Sequence, residues 1–527
     1  MKRSSSALVI VFLVLAACQA SAPQGSASKS KVGGQWVISA TEEPDTLDPH
    51  KSTTALSDTI LRYVGDPLIA KDQSGKYVPG LAKSWTISPD GLTWTFQLRD
   101  DVKFHDGTPF DAAAMKATFD RALDPATKSP IAGGLLGPVK SVATTDKSTL
   151  VLTLNQPFSP LLDNLSDAGR MLPLSPKAMN DADFGRKPIS TGPWKVAEWR
   201  SGDRIVLARN PDYAWAADFL HKGAAFIDTI VFRIIPESAT QVSAFESGEV
   251  DQLGVPPAQV QRYLDEKRFD VKKAYRNGVG LFLEFNVTKA PFDELALRRA
   301  LNYAVDKDAV VKTALKGFGE AAYGPLPPSI RGYFPGIVQY APHFDKAKAA
   351  ELLDQAGWKL EGGVRMKSGQ PLTFTLYNAA IDTWKDSAQL VQAQLKDLGI
   401  DMKIQTFEFG TLLAKAKQGE QQAHFLGYTY TNPDIVYIWF HSSNIGTGLN
   451  VSHYKDAALD KMIEDARLEV DDAKRLKLYE NIQKYIVDKA LWVPIWTNYI
   501  YTAYQPRGKD VKLDSEGRTI LFDAYVQ

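Results

Sequence analysis

Residues Pro79–Phe110 read PGLAKSWTISPDGLTWTFQLRDDVKFHDGTPF, and strand, turn and helix signals follow one another within and just beyond this stretch. Trp94–Arg99 (WTFQLR) is rich in aromatic and β-branched residues and predicts a strand. Asp106-Gly107 followed by Thr108-Pro109 is a strong turn signal. Asp111 then stands where a side-chain oxygen can accept the orphan amide hydrogens of a helix, whose face carries Met115, Phe119 and Ala122.

The same alternation runs outward in both directions. Further predicted strands are Leu150–Asn155, Arg204–Arg209, Thr229–Ile235, Leu281–Asn286, Leu372–Tyr377 and Met402–Glu408. Leu297, Leu301, Ala304 and Val305 follow a helical spacing. Asp345 caps a helix that ends at Gly357, and Asp386 opens one that carries Ala388, Val391, Leu395 and Leu398 on one face and closes at Gly399. Two more apolar stripes, Leu459, Met462, Ile463, Ala466 and Leu476, Tyr479, Ile482, Ile486, read as core. Strands mixed with helices over 527 residues predict an α/β (mixed α+β) protein with more than one core, because single cores stop growing near ~250–300 residues.

Composition narrows the function classes. The chain is 44% hydrophobic and 23% charged, which excludes a disordered chain. Its 61 basic and 61 acidic residues leave no basic excess, which argues against a nucleic-acid partner. The single cysteine, Cys18, excludes a disulfide within the chain and a CxxC site. It follows Lys2-Arg3, the apolar run Ala7–Leu15 and Ala16-Ala17, which together form the parts of a secretory signal. Leu15-Ala16-Ala17-Cys18 resembles a bacterial lipobox. That resemblance implies a lipoprotein signal peptide over 1–17, acylation of Cys18, a flexible tether over 18–31 and a mature chain held at the outer face of a bacterial membrane.

Catalytic signatures are missing. There is no GxSxG elbow, Walker loop, GxGxxG turn, HExxH helix or EF-hand loop. His105-Asp106 reads as part of a turn rather than a catalytic or metal dyad, and His441 and His453 give no ligand spacing. No catalytic residue, metal site or cofactor is expected. A secreted hydrolase is the alternative from a different class, and it would need positioned carboxylates or an activated nucleophile.

Four segments together resemble the extracytoplasmic solute-binding proteins of bacterial ABC importers, in the oligopeptide, dipeptide and nickel-binding family (solute-binding family 5). They are EPDTLDPH (residues 43–50), the opening stretch 79–110, STGPWKVAEWRSGDRIVLARNPDY (190–213), and FESGEVD (245–251) joined to LEFNVTKAPFDELALRRALNYAVDKDAV (283–310). The resemblance implies a two-lobed periplasmic-binding-protein type II fold with an extra third domain and a cleft that closes about a hinge. Lobe one would comprise 32–61, 188–280 and 499–527, the extra domain 62–187, and lobe two 281–498. It further implies a monomeric, non-catalytic receptor that captures a small solute and hands it to the transmembrane subunits of an ABC permease.

The resemblance also points to ligand contacts. The aromatic run FLGYTYTNPDIVYIWF (425–440) includes the segment that lines the cleft in the family, which makes Tyr428, Thr429, Tyr430 and Thr431 candidates. In dipeptide-binding members an aspartate there meets the ligand's amino terminus; here Thr429 or Thr431 takes its place. An arginine that holds the ligand's carboxylate corresponds to Asn378. Loss of both anchors disfavours a free dipeptide, because a desolvated charge without a partner costs several kcal/mol. A peptide longer than a dipeptide is expected, with an oligosaccharide the alternative. Thr53, Thr54 and Ala55 match positions that touch the ligand backbone, although locally they also read as a helix start. Trp384 and Trp439 are secondary candidates, read first as core.

Overall fold

The computed structural model describes residues 31–527 except Val279 and Thr431. Strands and helices alternate throughout, giving the mixed α/β class read from the sequence. The opening stretch forms the strand Thr93–Leu98 in a four-stranded antiparallel sheet with Ala82–Ile87, Thr149–Leu154 and Val139–Thr144. Its turn closes on Asp106, whose carboxylate accepts from the Thr108 amide (2.9 Å) and hydroxyl (2.6 Å). Asp111 accepts from the Ala114 amide and starts the helix Ala112–Leu123, which buries Met115, Phe119 and Ala122. Asp345 likewise caps Lys346–Gln355.

One helix departs from expectation. It runs Asp382–Lys396, so Asp386 lies inside it on an exposed face and does not open it. The residue at its start, Ile381, makes no side-chain cap, and the added turn buries Trp384 against the core. Apolar burial of a large ring outweighs the capping preference of an aspartate.

The main sheet has twelve strands. Its path runs through Asp401–Phe407, Thr373–Ala379, Ala423–Leu426, Leu281–Phe285, Trp492–Tyr504, Gln252–Gly254, Gln35–Ala40, Thr229–Ile234, Arg204–Arg209 and Trp194–Arg200. The 13-residue strand Trp492–Tyr504 holds this path together. Its first part pairs with Leu281–Phe285 and Gly319–Ala321, and Tyr499–Tyr504 pair with Asp270–Tyr275. The rows of apolar residues divide at the same place. One core collects side chains from Leu281 to Trp496. A second runs through Trp36, Trp94, Trp194 and Tyr504, and a smaller third through Phe245, Tyr263 and Ala503. The chain leaves one side after Tyr275 and enters the other by Leu281, and it returns between Trp496 and Tyr499. The two crossings lie side by side: the Arg276 amide donates to Asn498 O (3.0 Å), and the Tyr275 and Tyr499 rings are 5.2 Å apart. Among the described residues no helix is long and apolar enough to cross a membrane.

Candidate ligand-binding site

After the strand Ala423–Leu426 the chain turns through Gly427, Tyr428, Thr429 and Tyr430 toward the helix Ile435–Phe440. Glycine is required here by close approach. A Cβ on Gly427 would overlap the carbonyl oxygen of Gly280, and one on Gly278 (φ +103°) would overlap that of Tyr428. The candidate loop is therefore packed directly on the first crossing segment.

Side chains along this loop divide between solvent and core. Tyr428 is 38% exposed, and Thr429 is exposed with its hydroxyl accepting from Arg276 Nη2 at 3.3 Å. The Tyr428 ring meets Trp439 edge-on, with centroids 5.8 Å apart. Trp439 is fully buried and packs on Phe282 and Trp492 at 5.5 and 5.0 Å, so it supports the loop from beneath. Tyr430 is largely covered, and burial pushes its phenol well above the usual range. Trp384 is buried as well, its ring 6.1 Å from that of Phe409. Asn378 is wholly buried, and neither polar atom of its side chain has a protein partner. Thr431 lies outside the described residues, as does Cys18.

Thr53, Thr54 and Ala55 stand at the start of the helix Ala55–Val64, which packs into the core built around Trp36. Their chemistry is organised by Asp45. Its carboxylate accepts from the Thr53 amide (2.7 Å) and hydroxyl (2.8 Å), the Thr54 hydroxyl (3.2 Å) and the Ser57 hydroxyl (2.9 Å). Burial raises the Asp45 carboxyl, but these bonds outweigh it and hold the group down at about 2. Thr54 also accepts from the Ser57 amide as the helix cap. Arg170 fixes the preceding residue, donating from Nη1 to the Ser52 carbonyl and, at 2.7 Å, to its hydroxyl. Both threonine hydroxyls are thus engaged within the chain, and of the three residues Ala55 and the outer surface of Thr53 face solvent.

Sequence reasoning missed a second set of contacts, in which segment 158–164 meets the other core. Asn432 Nδ2 donates to Asn164 Oδ1 (3.0 Å), the Ser159 hydroxyl to Ala466 O (3.0 Å), and Arg475 Nη1 to Ser159 O (3.1 Å). The Arg467 guanidinium lies over the rings of Tyr437 (3.7 Å) and Phe158 (5.4 Å). Burial pushes the Asp434 carboxyl up to about 7, although Arg467 Nε stands 3.0 Å away and pulls it down. In the sequence these arginines read only as polar positions on helices, and no local signal marks their partners.

The histidines remain dispersed. His105 Nε2 donates to Gly192 O at 3.0 Å, and burial lowers its imidazole to about 4. His441 pairs with Ser443 and Glu464, whereas His453 meets Ala416 O. Among the described residues no group of three or more His, Cys, Asp or Glu side chains is placed to hold a metal ion.

Apolar cores joined by a shared long strand and a paired crossing, with an aromatic loop seated on that joint, are the architecture of a hinged binding protein. Residues 76–447 match the profile "Bacterial extracellular solute-binding proteins, family 5 Middle", and the chain belongs to that family. It is 32% identical over 451 residues to the nickel-binding periplasmic protein of Escherichia coli (strain K12), covering 82% of this chain and 83% of that one. It is 29% identical over 473 residues to the glutathione-binding protein GsiB of the same strain, covering 87% and 88%. Among solved structures it resembles the oligopeptide-binding protein AppA from Bacillus subtilis in complex with a nonapeptide. That match has a TM-score of 0.71 and 25% identity, and covers 95% of this chain and 100% of that one. The protein is an extracytoplasmic substrate-binding protein of ABC transport, and it is a binding protein rather than an enzyme.

Proposed function

We propose that this protein captures peptides longer than a dipeptide in the cleft between two lobes and delivers them unchanged to the transmembrane subunits of an ABC permease. In this reading lobe one is 32–61, 188–280 and 499–527, the extra domain is 62–187, and lobe two is 281–498. The separation of the core that runs from Leu281 to Trp496 from the other two supports the limits of lobe two. One observation carries the functional reading: the loop that exposes Tyr428 and Thr429 has its backbone packed on Gly278 and Gly280, so a solute held by the loop acts on the joint. Ligand then stabilises closure to the extent that it binds the closed form better than the open one.

The peptide class follows from what the loop offers. Tyrosine and threonine present rigid rings and hydroxyls, and neither Asn378 nor Thr429 supplies the charge that a short zwitterion needs at both ends. The nonapeptide in the related AppA structure fits this reading. Acylation of Cys18 anchors a monomer outside the cytoplasmic membrane. Globomycin should block cleavage before Cys18 so that the uncleaved precursor accumulates, and release of soluble protein from wild type and from Cys18→Ser alike would refute anchoring.

Native mass spectrometry of protein purified from cells tests the function directly. A retained intact peptide is expected, and added peptide at 100 times its Kd should stabilise the fold by ~2.7 kcal/mol. A retained sugar or metal complex would replace the peptide class, and cleaved product would overturn the receptor reading.

A further inference from the structure

The two positions from which a charged anchor was expected hold Asn378 and a threonine, yet a cation reaches Thr429 from a different part of the chain. Arg276 belongs to the first crossing segment. Its backbone is fixed on both sides, its amide donating to Asn498 O (3.0 Å) and its carbonyl accepting from the Ser329 hydroxyl (3.1 Å). Its side chain is exposed and reaches across to the loop, where Nη2 donates to Thr429 Oγ1 at 3.3 Å. Among the described residues no carboxylate pairs with this guanidinium. The acidic group of the neighbouring strand, Glu320, is occupied by the Tyr499 hydroxyl at 2.9 Å. Arginines at the nearby contact between cores behave differently: Arg467 pairs with Asp434 and Arg475 with Asp472.

We propose that Arg276, with Thr429 beside it, is the anion-holding position of the cleft and receives the terminal carboxylate of a bound peptide. This rests on the peptide-receptor reading above and adds the residue that selects the ligand's end. Guanidinium presents five N–H donors in a planar fork matched to a carboxylate, and the Thr429 bond uses only part of that fork. The Thr429 bond also holds the side chain toward the loop, which reduces the rotamer freedom lost on binding. Its place on the crossing segment ties carboxylate capture to the joint itself, so an anionic end would bridge hinge and lobe.

The test uses a mixed tetrapeptide library with free carboxyl termini and the same library as C-terminal amides. Each is incubated with the ligand-free full chain, and retained peptides are counted by mass spectrometry. Wild type should retain acids over amides by at least about tenfold, the scale of a charge-assisted hydrogen bond. Arg276→Gln should abolish that preference, and Arg276→Lys should keep part of it, because the charge remains while the fork is lost. The acid-to-amide contrast in wild type needs no variant to fold. Equal retention of both libraries by wild type, or a preference that survives Arg276→Gln, would overturn the anchor and leave the peptide receptor standing. Retention of neither library would remove both together.

Discussion

Lys307 shows how one residue can be satisfied in geometry and still cost stability. It is 3% exposed, donates from Nζ to Ala322 O at 3.0 Å, and lies 4.6 Å from the centre of the Tyr323 ring. Burial lowers its amine to about 7, with Asp308 pulling the other way. Between pH 7 and about 10 the unfolded chain holds a proton that the folded chain has released, so this residue makes stability rise with pH. Lys307→Met should therefore be more stable than wild type at pH 7, by roughly 1–3 kcal/mol, and the gap should narrow by pH 9.5. Urea unfolding at pH 7, 8.5 and 9.5 reads this, and a gap that does not change with pH would show that Lys307 stays charged when buried. The sequence motif around it, AVDKDAV, gives the helix but not the burial of this amine.

At the scale of elements, caps and turns were legible because their partners are local. Asp111 and Asp345 bond amides three residues on, and Asp106 closes its own turn. Asp386 was misleading because the core contact made by Trp384 extends the helix past it. Asp45 lies between these cases: it holds the start of a helix from outside it, through Thr53, Thr54 and Ser57. Asp45→Ala should cost about 1–2 kcal/mol, as the loss of a strong cap does. Its carboxyl is depressed from 3.8 to about 2, so its contribution is complete above pH ~4 and disappears as pH falls through 2. Equal stability of Asp45→Ala and wild type at pH 7, measured by thermal unfolding, would mean that water replaces these bonds at no loss.

For the whole molecule, the proposed reading puts the hinge at the shared strand Trp492–Tyr504 and at the adjoining crossing that begins at Arg276. Bonds from 158–164 to Asn432, Ala466 and Arg475 span the cores beside that joint. Small-angle scattering of ligand-free protein should show a smaller radius of gyration once the solute recovered from cells is added back. An unchanged scattering profile would mean that binding proceeds without hinge closure.

By itself the sequence determined the alternation of strands and helices and the caps at Asp111 and Asp345, because each rests on periodicity or on neighbours a few positions apart, while the family and the tyrosine-rich loop were legible through resemblance to known members. Only the tertiary structure decided which polar groups are already spoken for. The Thr53 and Thr54 hydroxyls are taken by Asp45, Trp384 and Trp439 are buried, and Arg276 meets Thr429 across 153 positions of chain. A hydrogen bond depends on distance in space, and nothing in the local pattern AYRNGVG records which distant loop folds back onto it.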